Sequence, residues 1–383
     1  MFKRALSLPL EEKSSLFLFG PRGTGKTSWL KTIKQQALYL DLLDFSVYEK
    51  LSASPDRLRT FIVSPNTQWV IIDEVQRVPE LLQEVHRLIE SQKIRFILTG
   101  SSARSLRKKG VNLLAGRALT FYMHPLIPSE LGDAFSLERA LTYGLLPSVI
   151  THENPQKYLE SYVQTYVKEE VMQEGLTRNI GTFNKFLEVA SFSQGNIINS
   201  AEVARELGVS RSTVVDYFQI LEDLLLAVRI NPFSQRAKRK IIAHPKFYFF
   251  DTGVFRVLRP KGPLDTPEEI DGAALETLIL QVLRAVNDYH ELGYTISFWR
   301  TATGHEVDFI LYGPAGFYAI EIKRSAKVSM SMLKGLKAFK KDYEQASCLV
   351  VYMGQHHQEI DGIRLVPCND FLLHILDFIG NKK

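Results

Sequence analysis

Gly20-Pro21-Arg22-Gly23-Thr24-Gly25-Lys26-Thr27 fits the pattern G-x-x-x-x-G-K-[ST] at every required position. The apolar run Leu16 to Phe19 comes just before it and reads as a strand. A helix-compatible segment, Thr27 to about Lys34, comes just after. Glycines let backbone N–H groups curl round phosphate oxygens, and the new helix turns its positive end to the same anion. On this reading Gly20 to Thr27, with Ser28, form an ATP-binding loop. Lys26 reaches the β- and γ-phosphates, and the Thr27 hydroxyl holds Mg²⁺.

A second element supports the first. Trp69 to Ile72 is an apolar run ending in Asp73-Glu74, as expected for a buried parallel strand with acids at its tip. Asp73 is then a Mg²⁺ residue and Glu74 the base that polarises an attacking water, which points to hydrolysis rather than binding alone. Leu38 to Asp41 and Arg95 to Thr99 read as further strands. Ser101 and Ser102, after the last of these, either sense a γ-phosphate or cap the next helix. Arg117, after Gly116, is either an arginine aimed at a neighbouring subunit's nucleotide or a surface cation. Strands alternating with helices predict an α/β fold, a P-loop NTPase with a parallel sheet.

In this order these segments resemble the AAA-superfamily predicted ATPases of archaea and bacteria: Phe17 to Thr27, Ile72-Asp73-Glu74-Val75-Gln76-Arg77-Val78-Pro79-Glu80, Leu98-Thr99-Gly100-Ser101-Ser102-Ala103 and Leu114-Ala115-Gly116-Arg117. The likeness spans nearly the whole chain. It implies an AAA-type ATPase using ATP and Mg²⁺, a homo-oligomer compatible with a hexameric ring, an embedded winged helix and a C-terminal nuclease-like part. The chain departs from the wider AAA group by carrying Ser where Asn is commoner at the sensor position.

The 383 residues, 45% hydrophobic and 23% charged, suit a soluble multidomain protein with a net charge of +5. That charge is compatible with nucleic acid. No apolar run approaches the roughly 18 residues of a membrane span, and the start of the chain lacks the apolar stretch of a signal peptide. Two cysteines, Cys348 and Cys368, exclude a disulfide framework and point to a reducing cytoplasm.

Residues 131–182 read as a helical connector with no assigned chemistry; Tyr158 to Val171 has helical spacing. Ser200 to Val214 carries two helix starts around a tight turn at Gly208, with Ser200 and Ser210 as caps. Val214, Tyr217, Phe218 and Leu221 supply the second helix's apolar face. This is helix-turn-helix spacing, with Arg211 and Ser212 at the exposed helix start. Arg236, Lys238, Arg239, Lys240 and Lys246 would form a basic wing. Either these residues contact the DNA backbone, or the module packs as a structural piece; Asp216 disfavours base readout.

Near the end, Glu276 lies on an amphipathic helix. Glu306 to Leu311 reads as a strand carrying Asp308. After the turn Gly313 to Gly316, the strand Phe317 to Lys323 carries Glu321 and Lys323 on one face. Hairpin pairing would bring Asp308 beside them, so that Asp308 and Glu321 hold Mg²⁺, Lys323 sits near the attacking water or the scissile phosphate, and Glu276 adds a ligand from the helix. This set resembles the restriction-endonuclease-like (PD-(D/E)xK) superfamily. Three readings stay open: an active nuclease, the same fold without activity, and a surface salt-bridge cluster. A lysine-rich helix follows, with Leu333, Leu336 and Phe339 on its apolar side.

The expected organisation is an AAA-type ATPase over residues 1–130, a helical connector over 131–182, a winged helix-turn-helix over 183–260 and a smaller α/β restriction-endonuclease-like domain over 261–383. The expected function is ATP turnover coupled to remodelling or processing of DNA, branched DNA included. The alternative is a nucleotide-dependent switch for a protein partner. No membrane partner is expected.

Overall fold

The computed structural model describes residues 2–33, 37–64, 67–102, 114–167, 171, 179–263 and 265–380. Its contacts divide into two units: Leu6–His124 with Asp223–Leu225, and Met1–Ala5 with Pro125–Glu222 and Leu226–Lys383.

The first unit is built on a parallel sheet. Strands β1 (Ser15–Phe19), β2 (Leu38–Asp41), β3 (Trp69–Asp73), β4 (Arg95–Gly100) and β5 (Ala118–Tyr122) lie in the order β2-β3-β4-β1-β5, and every neighbouring pair is parallel. Strands β1 and β3 are buried at every residue, which explains why they read as unbroken apolar runs rather than alternating ones. Helices α1 (Lys26–Ile33), α2 (Phe45–Ala53), α3 (Leu58–Phe61) and α4 (Leu81–Gln92) connect them. The core runs from Phe17 and Phe19 through Ile72 and Phe96 to Leu82 and Val85 of α4. Because all the strands run one way, their C-terminal ends share one edge, and the loop after β1 and the acids after β3 meet there.

The second unit begins with short helices: α5 (Pro128–Leu131), α6 (Leu137–Tyr143), α7 (Pro147–Thr151), α8 (Pro155–Ser161) and α9 (Ile180–Ser191). The helix expected from Tyr158 continues from α8 as a π-helical stretch to Val167; residues 168–170 lie outside the described ones. The helix-turn-helix follows as α10 (Ser200–Leu207) and α11 (Arg211–Asp223), with Gly208 between them at φ 67°. Ser210 caps α11 as expected, accepting from the Thr213 N–H at 3.1 Å. The cap of α10, however, is Asn199, which accepts from the Glu202 N–H; Ser200 is the first helical residue, one position too late to cap. Phe186, Phe218 and Phe247 stack edge to face beneath α11, so the expected apolar face is the packed one.

Strands β6 (Ala227–Ile230) and β7 (Lys246–Phe249) then form an antiparallel pair. After α12 (Thr252–Leu258) and α13 (Pro267–Tyr289) comes a mixed six-stranded sheet, β8 (Thr295–Arg300), β9 (Glu306–Gly313), β10 (Gly316–Lys323), β11 (Ser347–Tyr352), β12 (Gln358–Ile360) and β13 (Ile363–Pro367), in the order β12-β13-β11-β10-β9-β8. Helices α14 (Lys334–Asp342), α15 (Cys368–Leu373) and α16 (Ile375–Ile379) complete the chain.

The stretch joining β6 to β7 is not a free-standing hairpin. Pro232 pairs with Phe298 and Ile241 with Thr301, the Ile242 N–H donates to Arg300 and the Ala302 N–H to Lys240. Phe233 is buried against Trp299, Phe339 and Tyr343. The expected basic wing is therefore stitched along β8 by backbone pairing and one aromatic anchor. Among the described residues no helix is long and apolar enough to cross a membrane.

Candidate nucleotide site and a buried carboxylate cluster

The loop between β1 and α1 needs its glycines. Gly23 and Gly25 hold φ of 83° and 88°, left-handed backbone that glycine adopts without a steric penalty. A Cβ on Gly20 would lie 2.3 Å from the Met123 carbonyl oxygen. Lys26 opens α1 and is 5% exposed. Its ammonium turns back into the loop and donates to the carbonyls of Gly20, at 2.7 Å, and Pro21, at 3.2 Å.

Asp73 at the tip of β3 gathers three hydroxyls. Thr27 donates to Oδ2 at 2.6 Å, Tyr39 donates to the same oxygen, and Thr99 of β4 donates to Oδ1. Burial, and after it Asp73, push the Tyr39 phenol well above its ordinary pKa, so it stays a neutral donor. A threonine hydroxyl and a carboxylate in direct contact are hard oxygen donors, and Mg²⁺ in such sites takes few protein ligands alongside water and phosphate oxygens. The residues present therefore fit a nucleotide-bound Mg²⁺, with Thr27 and Asp73 to hold it. A bound ATP–Mg²⁺ would supply the phosphoanhydride and neutralise its charge.

Glu74 has φ 61° and ψ 44°, unusual for a residue with a side chain and a mark of functional loops. Its N–H donates to the Thr99 hydroxyl at 3.3 Å. Its carboxylate accepts from the Gln76 amide, which also donates to Ser101 Oγ at 3.1 Å. Gln76 thus ties the candidate base to the candidate sensor. In the sequence this role is signalled only by a polar side chain two residues beyond Glu74. Ser102, fully buried, donates to the Asp223 carbonyl at 2.6 Å.

Arg117 is elsewhere. It precedes β5, its carbonyl accepts from the Ser15 N–H at the start of β1, and its guanidinium pairs with Glu90. It therefore lies at the N-terminal end of the parallel strands, opposite the loop.

In the second unit, Glu276 of α13, Asp308 of β9 and Glu321 of β10 form a cluster. The expected hairpin is present, with Phe317 opposite Tyr312 and Ile320 opposite Phe309. The alternating strand pattern was enough to place Asp308 beside Glu321. Each carboxylate has a partner: Tyr248 donates to Glu276 Oε2 at 3.0 Å, the Ile322 N–H donates to Asp308 Oδ2 at 2.8 Å, and Lys323 donates to Glu321 Oε1 at 2.5 Å. Burial, and after it Asp308, push both Glu276 and Glu321 above the usual carboxylate range.

Lys246, expected on the wing, is 3% exposed. Its ammonium lies 2.5 Å from Glu306 and 3.8 Å from Asp308. A lone cation in an otherwise apolar strand can project only to one side of the sheet, and here that side holds the acids. Among the described residues no group of three or more His, Cys, Asp or Glu side chains is arranged to hold a metal ion. Glu321 Oε2 is the one buried oxygen of the cluster without a hydrogen bond. The ammonium groups of Lys246 and Lys323 face Asp308 and Glu321, where a divalent cation would have to sit between the same carboxylates.

The helix-turn-helix borders a cleft of about 600 Å³ lined by Arg211, Arg229, His244 and Arg300, with Asn199 and Ser200. Arg229 is held by Glu222 and Gln219, and Arg300 lies 3.4 Å from Glu306. Arg211 and Ser212 are exposed, as are Arg236, Lys238 and Lys240. Arg239 is paired with Asp342 of α14 through two hydrogen bonds.

Residues 12–132 match the family model described as AAA domain. Residues 12–132 are thus similar to AAA domains. Two further models, each described as a domain of unknown function, match residues 134–265 (DUF8612) and 271–371 (DUF4143). An uncharacterized protein of Mycobacterium tuberculosis is 25% identical over 365 residues, covering 93% of this chain and 80% of that one. An uncharacterized protein of Haemophilus influenzae is 20% identical over 355 residues, covering 87% and 82%. Among solved structures, the Aeropyrum pernix ORC1 protein in complex with DNA aligns at TM-score 0.26 with 13% identity, covering 64% of this chain and 86% of that one. A Vibrio cholerae protein aligns at TM-score 0.23 with 12% identity, covering 95% and 98%.

Within the first unit, the fold brings Lys26, Thr27, Asp73, Glu74 and Ser101 to one end of the sheet and leaves Arg117 at the other. Tyr39 and Thr99, the two further hydroxyls on Asp73, were not singled out from sequence. Their signal was a polar residue near the C-terminal end of β2 and of β4.

Proposed function

We propose that this chain is an ATP-hydrolysing AAA-type protein that couples ATP turnover to binding and remodelling of DNA. The observation that carries the ATPase is the direct contact of the Thr27 hydroxyl with Asp73, with Glu74 next in the chain and Lys26 inside the loop. In this proposal Gly20 to Ser28 cradle the phosphates, Lys26 meets their charge, Thr27 and Asp73 hold Mg²⁺, and Glu74 orients the water. Arg117, at the far end of its own sheet, does not face this chain's own loop, so the reading left to it is a neighbouring subunit's nucleotide or a surface ion pair with Glu90.

The DNA half rests on the second unit. A helix-turn-helix opens beside a cleft whose charged lining residues are all basic, and Arg236, Lys238 and Lys240 are exposed nearby in sequence. Cations of this kind engage phosphates rather than base edges, so the proposed binding is backbone-directed and tolerant of sequence. Metal-dependent strand cleavage by Glu276, Asp308, Glu321 and Lys323 is left out of this proposal, because a second, buried cation, Lys246, faces Asp308.

The test is phosphate release by the full chain across single-stranded, duplex and branched DNA. The expected result is turnover abolished in Lys26→Ala and stimulation by DNA that falls steeply with salt. Unchanged turnover in Lys26→Ala would remove the central claim. Indifference to every nucleic acid would favour a nucleotide switch that binds a protein partner.

A further inference from the structure

Lys246 is positioned as a part of the carboxylate cluster. It opens β7, pairs in register with Ile230 and bridges to Ile197, so its backbone is held from two sides. Its side chain is buried, with the ammonium 5.5 Å from the centroid of the Phe298 ring, 2.5 Å from Glu306 and 3.8 Å from Asp308. A buried cluster of acids is costly unless a cation compensates it. Divalent metals fill that role where carboxylates are left open to them. Here Lys246 faces Glu306 and Asp308, and Lys323 faces Glu321.

We propose that Lys246 is the resident cation of this cluster, its ammonium taking the place a divalent metal would need, so that the folded protein binds no divalent cation at Asp308. The helix-turn-helix region thereby supplies the charge that closes the acidic site, and the C-terminal sheet works as a metal-free platform.

Mn²⁺ serves as the probe, with free Mn²⁺ followed by electron paramagnetic resonance in nucleotide-free full-length protein. Wild type and Asp308→Asn should titrate alike. Lys246→Met should gain one site at least tenfold tighter than any wild-type binding, and that site should vanish in Lys246→Met combined with Asp308→Asn. Wild-type binding that disappears in Asp308→Asn would overturn the proposal. So would a folded Lys246→Met with no Asp308-dependent site. If Lys246→Met does not fold, Lys246→Gln replaces it, and the wild-type comparison with Asp308→Asn stands by itself.

Discussion

The Ser102 hydroxyl donates to the main-chain carbonyl of Asp223 at 2.6 Å, joining the segment after β4 to the last residue of α11. Leu225, at φ 59°, packs against the core of the parallel sheet. The same segment carries Ser101, one step from the Gln76–Glu74 contact. A change at the nucleotide end of the sheet therefore has a short route to Asp223, which belongs to the same unit. Ser102→Ala should lower the ratio of DNA-stimulated to basal ATP turnover. An unchanged ratio would show that the bond transmits nothing.

Glu74→Gln should retain nucleotide binding and lose turnover by about 10²-fold or more, the range for loss of a positioned base. Fluorescent-nucleotide titration and phosphate release measure the two sides. Gln76→Ala should alter turnover with little change in nucleotide affinity, because the amide contacts Glu74 and Ser101 but not the loop.

Arg300→Ala and Arg211→Ala should weaken binding to all DNA sequences alike. Each lost phosphate contact should reduce the slope of log affinity against log salt by about 1. Salt titrations by fluorescence anisotropy give the slope. A variant that changes sequence preference without changing the slope would point to base contact instead.

Arg4 and Glu130 form an ion pair at 3.0 Å with side chains 3% and 1% exposed. Arg4 also donates to the Tyr289 hydroxyl at 2.9 Å, and Glu130 accepts from the Ala5 and Ile127 N–H groups. Arg4→Ala strands a buried carboxylate and should destabilise the second unit by about 3–5 kcal/mol. Urea unfolding followed by circular dichroism measures the loss.

Asp251 is fully buried and accepts from the N–H groups of Leu145, Gly253 and Val254. Burial raises its pKa to about 6 from 3.8. The folded state then holds the proton more tightly than the unfolded one, so Asp251 stabilises less as pH rises from about 4 to about 6 and is level above that. Against Asp251→Asn, which cannot ionise, wild type should lose on the order of 3 kcal/mol across this window. Melting at stepped pH checks both sign and window.

Four strands of the parallel sheet were legible because they are short, mostly apolar runs punctuated by glycines and acids; β5, partly exposed and carrying Thr120, was not among them. The C-terminal hairpin was legible from alternation alone. What escaped were contacts between residues far apart in sequence. Lys246 looked like one of a run of surface cations, and only folding against β9 shows it facing acids. Asn199 and Ser200 are both competent caps, and their order was decided by where the helix dihedrals begin. Phe233 sits in the middle of polar residues, so nothing local showed that it anchors the basic stretch to a sheet formed much later in the chain.

That anchoring sets an order of events during synthesis. The stretch from Pro232 to Ile242 leaves the ribosome before β8 exists, with its backbone donors and acceptors unmatched and the Phe233 ring exposed. It can settle only after α13 and β8 have followed. A chain cut after residue 260 should therefore keep an unpaired, sticky edge and aggregate on release, whereas the full chain closes that edge from within.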